Sequence, residues 1–555
     1  MRDAVRDWIG KGDALFAERF PLDSLHQTLA ENFHVMRADF TRKRFFSEEF
    51  ASYLMTGRPA MAHRDLTNSI PAMMRPRDRQ WLFARTPDDR INNDRQARAY
   101  LDWVSEKLFR RLYDPRAMMV RSEKEADGDY SAFGNCVTTV EPNLGNDGLL
   151  IRCHHPRDVV WAEGDDLQIR EKHHRRELTV RDLCRMFPKT VKQTVKDALA
   201  KEPNRKIPVR RFIAPVGEYE FEKPLRNKAR FAVASVYVDL DNDCVLEEVP
   251  LRVDPYCIDR WVTISGSQYA YSPAAVYGLP DARMLQQMAL TILEAGQKAT
   301  DPPLKAVAEA ITGGVNTGAG MITWVDPDYD ERTGPVLEHL IQKYDGLQYG
   351  ANREEKVEGT LDAIFFLNQI RMPQITKEMT AYESQKAYEE FVRNSLPLLE
   401  PIETERNGHL CAVAFEQMQC MALFGNPADM PRILSGQDVR FEFDTPLKAA
   451  AEQAKVFKFQ QCTDIIAKAM QVDQSAVMEF DVHKGTRDAV IASGGAEWLF
   501  DAAAVKKRLA QQQQQNAATA AAAAMAHGAD TATKVATAAK SAGDAGQSLQ
   551  DAGMM

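Results

Sequence analysis

Two histidine pairs in this 555-residue chain have side chains that could bind a metal or transfer protons. They are His154-His155 and His173-His174. Neighbouring residues point to opposite faces of a strand and diverge on a helix, whereas metal ligands recur two or four residues apart and need further partners. We therefore predict surface histidines, beside the arginines that follow the second pair, and no bound metal or cofactor.

A glycine-rich run, GGVNTGAG at residues 313–320, could cradle a phosphate group. A phosphate loop ends in Lys-Ser/Thr and opens a helix, whereas this run leads into Met321-Ile322-Thr323-Trp324-Val325, which has the composition of a strand. We interpret the run as part of a flexible hairpin. The sequence also lacks the G-x-S-x-G, H-E-x-x-H and kinase motifs, so we expect that the protein is not an enzyme.

Two sets of charged residues could act electrostatically on a polyanion. Glu355, Glu358 and Asp362 fall on one stripe of a predicted helix, for which spacing alone favours a solvated face. Arg371 and Lys377 flank the segment Met372-Pro373-Gln374-Ile375-Thr376, which on its own indicates an interhelical turn with solvated charges. Carboxylates repel phosphate groups and basic side chains attract them.

Both sets lie on or beside two predicted helices of matching length. Residues 281–299 and 352–370 carry apolar side chains at the i, i+3, i+4, i+7 spacing of a buried helix face. Asp281 and Asn352 are candidate N-caps, and each helix would be roughly 28 Å long at 1.5 Å per residue. Two such helices can lie antiparallel, which suits a repeated wall around a channel better than a catalytic pocket.

The rest of the chain predicts an α+β fold that is predominantly helical. Residues 95–113 have the apolar spacing of a helix, and residues 231–253 that of a β-hairpin. Strands are also predicted at 136–140 and 149–151, separated by a turn at 143–148, and at 439–443. The last forty residues contain few large apolar groups, so we expect them to be disordered or weakly helical.

Composition excludes some classes of protein. The formal charge of −9 argues against tight nucleic-acid binding, because such affinity comes from clustered Lys and Arg. Eight scattered cysteines without a C-x-x-C indicate reduced thiols in a cytoplasmic protein, most of them in the core. No uninterrupted apolar stretch of about 18 residues occurs, so a membrane span is not expected.

Several short motifs, collinear from Pro59 to Gln515, resemble the portal proteins, or head-to-tail connectors, of short-tailed phages. The motifs are His63-Arg64-Asp65-Leu66, Ala72-Met73-Met74-Arg75-Pro76, Trp81-Leu82, Phe133-Gly134-Asn135-Cys136-Val137, the Pro-Pro of 299–304, Gly318-Ala319-Gly320, Ile364-Phe365-Phe366, Met379-Thr380-Ala381 and Gly494-Gly495-Ala496-Glu497-Trp498-Leu499. The chain departs from the family pattern at Tyr382 and Ala387, where a Thr and an Arg are usual.

The resemblance implies a homo-oligomeric ring, usually of twelve subunits, at one capsid vertex. It also implies wing, stem, clip and crown regions. Their expected bounds are 1–280 (wing), 281–299 (first stem helix), 300–351 (clip), 352–370 (second stem helix), 371–377 (channel loop), 378–446 (wing helix and returning strand), 447–515 (helical crown) and 516–555 (low-complexity tail).

The resemblance further implies roles for the charged and aromatic residues. Glu355, Glu358 and Asp362 would form carboxylate rings that repel passing double-stranded DNA, and the 371–377 loop would hold it locally. Trp324 and Tyr329 would form the clip's docking surface. The implied partners are the terminase motor, major capsid and scaffolding proteins, and the tail adaptor or tail proteins. The protein would be assembled in the host cytoplasm and reside in the virion.

Two other functions remain compatible with the residues taken alone. One is a virion assembly protein without a channel. The other is a nucleic-acid-processing packaging enzyme, such as a nuclease or an ATPase, which would need a carboxylate–metal cluster or a phosphate loop.

Overall fold

The computed structural model describes residues 2–370 apart from Phe46, Asn93 and gaps between 317 and 344, residues 402–444 apart from 427–428, residues 459–468 and 481–492, and single positions elsewhere up to 515. The chain divides into two units, residues 1–451 and 452–555. In the second unit, Val482–Ala492 form one helix, α12. All other elements below belong to the first unit.

The helices and strands of the first unit confirm an α+β fold. The helices are α1 (Asp3–Asn32), α2 (Arg58–Met74), α3 (Asp89–Asn92), α4 (Arg95–Leu112), α5 (Met119–Phe133), α6 (Val180–Met186), α7 (Gln193–Lys201), α8 (Leu279–Thr300), α9 (Asp345–Ile364), α10 (Leu367–Ile370) and α11 (Gly408–Cys420). The strands are β1 (Leu82–Arg85), β2 (Asn135–Pro142), β3 (Leu149–His154), β4 (Val159–Glu163), β5 (Ile169–Thr179), β6 (Lys206–Pro215), β7 (Val233–Asp239), β8 (Cys244–Leu251), β9 (Tyr256–Arg260), β10 (Leu304–Ala306), β11 (Leu337–His339) and β12 (Arg440–Phe443).

An antiparallel five-stranded sheet, in the order β4-β5-β6-β7-β8, forms the first layer. The apolar side of α1 packs on it through Trp8, whose ring stacks on Phe212 at 6.0 Å. Further along the chain, β3-β2-β9 form a three-stranded sheet, and β1 pairs with β12. The predicted helix at 95–113 and the predicted hairpin at 231–253 are confirmed as α4 and as β7 with β8.

The prediction that the histidine pairs lie at the surface is wrong. His173 and His174 are buried in β5. His173 Nε2 lies 2.6 Å from Glu171 Oε1, and His174 Nδ1 lies 2.9 Å from the Tyr256 hydroxyl. Burial holds the pKa of His174 well below its usual range. Tertiary partners in β9 and on the sheet therefore stabilise neutral core histidines at positions that sequence spacing assigned to solvent.

A second core is helical and joins α2, α5, α8 and α9. At its edge a cluster of buried charges links helices that are distant in sequence. Arg75 contacts Asp127 and lies 3.3 Å from Glu123, while Arg406 contacts Glu123 and lies 3.0 Å from Asp127. Asn407 Oδ1 accepts a hydrogen bond from Arg75 at 3.1 Å. Both arginines are almost fully buried, so each guanidinium depends on these carboxylates for compensation of its charge.

Helices α8 and α9 are antiparallel partners, as the sequence pattern suggested. A Cβ built on Gly350 would lie 3.2 Å from Ile292 Cγ1, and one built on Gly278 would lie 3.7 Å from Ile364 Cγ2. The two contacts pair early residues of each helix with late residues of the other. Gly350 permits a close approach of the two helices, whereas the 3.7 Å contact at Gly278 is an ordinary packing distance.

The bounds of the helix pair differ from the predicted ones. The second helix begins at Asp345 instead of residue 352, so Asn352 lies inside it and is not its cap. It ends at Ile364, because Phe366 adopts a left-handed φ of 58° before the short α10. Helix α8 begins at Leu279, and no side chain caps its first turn, so the Asp281 cap is also corrected.

A glycine joins α5 to β2, inside a motif that carries the family resemblance. Gly134 has φ 80°, and a Cβ there would lie 2.4 Å from the carbonyl carbon of Tyr271. Both the backbone conformation and the space therefore require glycine.

We predict that Gly134→Ala lowers the free energy of unfolding by about 3 kcal/mol or more, because strain and a backbone clash add. The matched control is Gly266→Ala, which shares a positive φ of 86° but has no atom within 4 Å of the added Cβ. The control should lose only about 1 kcal/mol. Urea unfolding followed by circular dichroism measures both, and equal losses would contradict the clash.

Candidate functional site

The stripe of acidic residues on α9 is the first candidate for contact with a polyanion. Glu355 is exposed, on the side of α9 away from the buried Val357 and Leu361, and Glu358 is half-buried at the flank of that buried face. Among the described residues neither carboxylate has an ion-pair partner. These two side chains therefore keep their charge available to solvent or to a ligand.

Asp362, the third member of the predicted stripe, has a different environment. Its carboxylate forms an ion pair with Arg58, the first residue of α2, and both side chains are largely buried. The pair cancels the charge of Asp362 locally and ties α2 to α9. The structure therefore separates Asp362 from the two glutamates with which sequence spacing had grouped it.

The excursion between the helices, residues 301–344, is the second candidate. Strands β10 and β11 pair at its base, with Leu304 opposite His339. The predicted strand over 321–325 is wrong: only Val325 pairs, in an isolated bridge with Ile311. The glycine-rich run ahead of it opens no helix among the described residues.

The predicted aromatic pair of the excursion has two different environments. Trp324 is 68% exposed, next to the exposed Met321 and Ile322. Tyr329 is half-buried, and its hydroxyl donates to the Gly334 carbonyl at 3.2 Å within the excursion. An apolar tip formed by Met321, Ile322 and Trp324 is thus presented to solvent, while Tyr329 supports the excursion from within.

The predicted channel loop, Arg371 to Lys377, lies outside the described residues. Among the described residues around it, Ile370 before the loop and Phe391 and Ile402 further along the chain are buried in the same helical core. Between Ile402 and Asn407 the backbone forms a π-helical turn, which carries Arg406 into the buried charge cluster.

No metal site is found in the part of the chain that the structure describes: no group of three or more His, Cys, Asp or Glu could hold an ion. A cavity of about 590 Å³ lies between α4, α11 and β12, lined largely by apolar side chains such as Leu101 and Phe415. None of the predicted site residues that the structure describes lines it. None of the described helices is long and apolar enough to cross a membrane.

Residues 8–497 match the family described as bacteriophage head to tail connecting protein. The chain therefore belongs to this family of head-to-tail connectors. The resemblance stated from short motifs is confirmed, and a protein that connects head to tail is a structural component of the virion. The family is structural rather than enzymatic in character.

Two solved structures are similar to this connector. One is the neck of an empty gene transfer agent particle computed with C6 symmetry, with 10% identity over 73% of this chain and 86% of that chain and a TM-score of 0.35. The other is the virion of a native gene transfer agent particle, with 11% identity over 80% of this chain and 95% of that chain and a TM-score of 0.34. No curated protein matches the sequence.

Sequence reasoning missed Arg58, the partner of the site residue Asp362, and also the buried arginines Arg75 and Arg406. Arg58 is 304 residues from Asp362, and no local pattern indicates that pairing. The arginine in the family-like Ala72–Pro76 motif could have drawn attention to Arg75, since an arginine in an apolar run needs a buried acidic partner.

A double-mutant cycle tests the bond between α2 and α9. We predict a coupling of about 1 kcal/mol between Arg58→Ala and Asp362→Asn in the free energy of unfolding, because both side chains are largely buried. Arg64 and Asp65 on the same helix α2 form a matched exposed pair 2.8 Å apart. Their cycle should give less than about 0.5 kcal/mol. A coupling no larger than that of the control would show that the Arg58–Asp362 ion pair does not stabilise the contact between α2 and α9.

Proposed function

We propose that this connector assembles as a closed ring, and that α8 and α9 of each subunit form the wall of a central channel for double-stranded DNA. The observation that carries the proposal is the antiparallel α8–α9 pair with an excursion at one end, in a chain that belongs to the connector family. Cyclic symmetry repeats every side chain around the axis, so one helix pair per subunit suffices to line a channel.

The charge of α9 supports this function. With α9 facing the axis, Glu355 and Glu358 become two rings of carboxylates, which repel the phosphates of DNA and prevent tight adhesion. DNA that must slide needs weak contact, since each neutralised phosphate adds affinity. Asp362 contributes little to this field because Arg58 compensates its charge within the subunit. Its role in the proposal is to hold α9 against α2.

The remaining regions follow the family arrangement in the proposal. Residues 1–280 with 378–446 form the wing, 447–515 the crown and 516–555 a tail. The stem consists of α8 with α9 and α10, and the clip is the excursion at 301–344. Residues 371–377 would line the channel at the end opposite to the excursion and give DNA a local basic hold through Arg371 and Lys377.

The apolar tip of the excursion supports a docking function. Exposed aromatic and apolar side chains anchor protein interfaces, and Met321, Ile322 and Trp324 are exposed together on a segment that projects between two helices. We assign this tip to the terminase motor during packaging and to the tail adaptor afterwards. The capsid and scaffolding proteins would contact other surfaces.

Electron microscopy tests the ring, and charge variants test the channel. End-on images of the purified protein should contain rings with a central hole that admits a DNA duplex. Glu355→Gln with Glu358→Gln should leave these rings intact and change the amount of DNA packaged or retained, because the repulsive field is reduced. Arg353→Gln on the same helix is a charge control. Rings that package and retain DNA as the unaltered protein does would refute the proposal that α9 lines the channel.

A second experiment tests the docking tip. Trp324→Ala with Ile322→Ser should weaken binding of the terminase or the adaptor by a factor of about 30, the loss typical of an interface anchor. Leu167→Ser removes a side chain of similar exposure from the β4–β5 turn and should bind normally. Surface plasmon resonance measures both, and ring images verify assembly. Unchanged affinity for both partners would refute the assignment.

A further inference from the structure

The cavity between α4, α11 and β12, which we call the α4–α11 cavity, has no part in the proposed channel or docking tip. Its volume of about 590 Å³ is that of a pocket for a small molecule, for which roughly 300 to 1,000 Å³ is usual. All of its lining residues belong to the first unit of one subunit. The cavity is therefore complete without a second copy of the chain, and nothing inferred from it depends on the proposed ring.

Two helices provide much of the cavity wall. Four residues of α11 line it at the i, i+3, i+4, i+7 spacing of one helix side, namely Ala412, Phe415, Glu416 and Gln419. Helix α4 contributes Tyr100, Leu101 and Val104, of which the last two are buried in the adjoining apolar core. Because this core holds both helices, the cavity is formed before any ligand enters it.

Aromatic rings dominate the apolar part of the lining. The Phe415 ring lies 5.2 Å from that of Phe424 and 5.9 Å from that of Phe441, measured between ring centres. Tyr100 adds a fourth ring from α4. Such rings pack against methylene groups, and their faces attract organic cations because the electrons above the ring carry partial negative charge.

The charged residues of the lining are all acidic. Glu416 on α11 and Asp438, two residues before β12, line the cavity, and no Lys, Arg or His lines it among the described residues. Neither carboxylate has an ion-pair partner in the described ranges. Partial burial raises the pKa of the Glu416 carboxyl, and burial together with the nearby Asp429 carboxylate raises the pKa of Tyr100. The cavity therefore favours a positively charged ligand.

Other kinds of ligand suit this lining less well. An anion would meet charges of its own sign. A neutral apolar molecule would take water from the two carboxylates without compensating their charge. A metal ion needs more ligands than the cavity offers, since no group of three or more His, Cys, Asp or Glu in the described part of the chain could hold one.

We propose that the α4–α11 cavity binds an aliphatic polyamine, a flexible methylene chain with an ammonium group at each end. The methylene groups pack on Phe415 and its neighbouring rings, and the ammonium groups pair with Glu416 and Asp438. These two carboxylates stand on different elements, α11 and the segment before β12, so they match a ligand with two separated charges. A lysine side chain of another protein carries the same ammonium on a methylene chain, but it can pair with only one of them.

Calorimetric titration of the full-length protein compares a polyamine with a single ammonium. Spermidine should bind about fivefold more tightly than butylamine, because each partly exposed ion pair contributes up to about that factor. Spermidine that binds no more tightly than butylamine would overturn the polyamine and indicate a site for one ammonium, such as a lysine side chain.

Charge variants locate the bound polyamine. Glu416→Gln and Asp438→Asn should each weaken spermidine binding about fivefold, because each removes one ion pair. Glu442→Gln is the matched control: this glutamate is also exposed and lies beside Phe441, but it does not line the cavity. The control should bind spermidine as the unaltered protein does. Equal losses in all three variants would show general attraction to an acidic surface and would overturn the site.

A filling variant tests the cavity itself. Ala412→Leu places a larger side chain in the free space beside Phe415 and should lower the affinity for spermidine by at least about tenfold, since the methylene chain loses its room. Thermal unfolding verifies that the variant is folded. A folded Ala412→Leu protein that binds spermidine normally would overturn the inference. If this variant does not fold, the exposed Glu416→Gln and Asp438→Asn changes decide the matter alone.

Discussion

The buried charge cluster of Arg75, Glu123, Asp127 and Arg406 is the constraint on which the first unit depends. Two guanidinium groups and two carboxylates removed from water are tolerable only when every charge is paired, since an uncompensated buried charge costs several kcal/mol. Arg75 directly follows α2, Glu123 and Asp127 belong to α5, and Arg406 lies in the turn before α11. The cluster therefore forms only when segments separated by more than 280 residues have reached their native places.

The charge cluster also determines where the chain enters the first unit's core after α8 and α9. Ile370 and Ile402 enter the same apolar core, and Arg406 completes the ion cluster beside it. Residues on both sides of the 371–377 segment therefore pack in one core, and Phe391 between them is buried in it as well. Ser395 also donates a hydrogen bond to the Gln369 carbonyl at 2.7 Å. The same core also receives Leu285 of α8 and Leu361 of α9.

Local patterns predicted the elements whose stability is local. Leu101, Val104 and Leu108 of α4 repeat at helical spacing and are buried, and the β7–β8 hairpin follows from alternation around a polar turn. The start of α9 was missed because Gly346 and Gly350 are weak helix formers, and packing of Gly350 against Ile292 overrides that weakness. The end of the helix at Phe366 could not be predicted, because a phenylalanine gives no sequence signal for a left-handed φ.

The candidate site was predictable only in part, for a related reason. The positions of Glu355 and Glu358 follow from helical spacing alone, whereas the charge of Asp362 is compensated by Arg58, which is far away in the sequence. Tyr329 and Trp324 are both aromatic residues of the excursion. They differ because the Tyr329 hydroxyl donates a hydrogen bond to a carbonyl within the excursion. The burial of His174 was missed because its partner, Tyr256, lies on another strand.

The short ladder between β10 and β11 has a mechanical consequence. It joins the two ends of the excursion close to the end of α8. Leu304, Lys305 and Ala306 each pair with a residue of β11. A force applied at Trp324 is consequently shared by α8 and α9, so it does not separate one helix from the other. Traction exerted by a motor at the tip would load the pair as a single stiff rod.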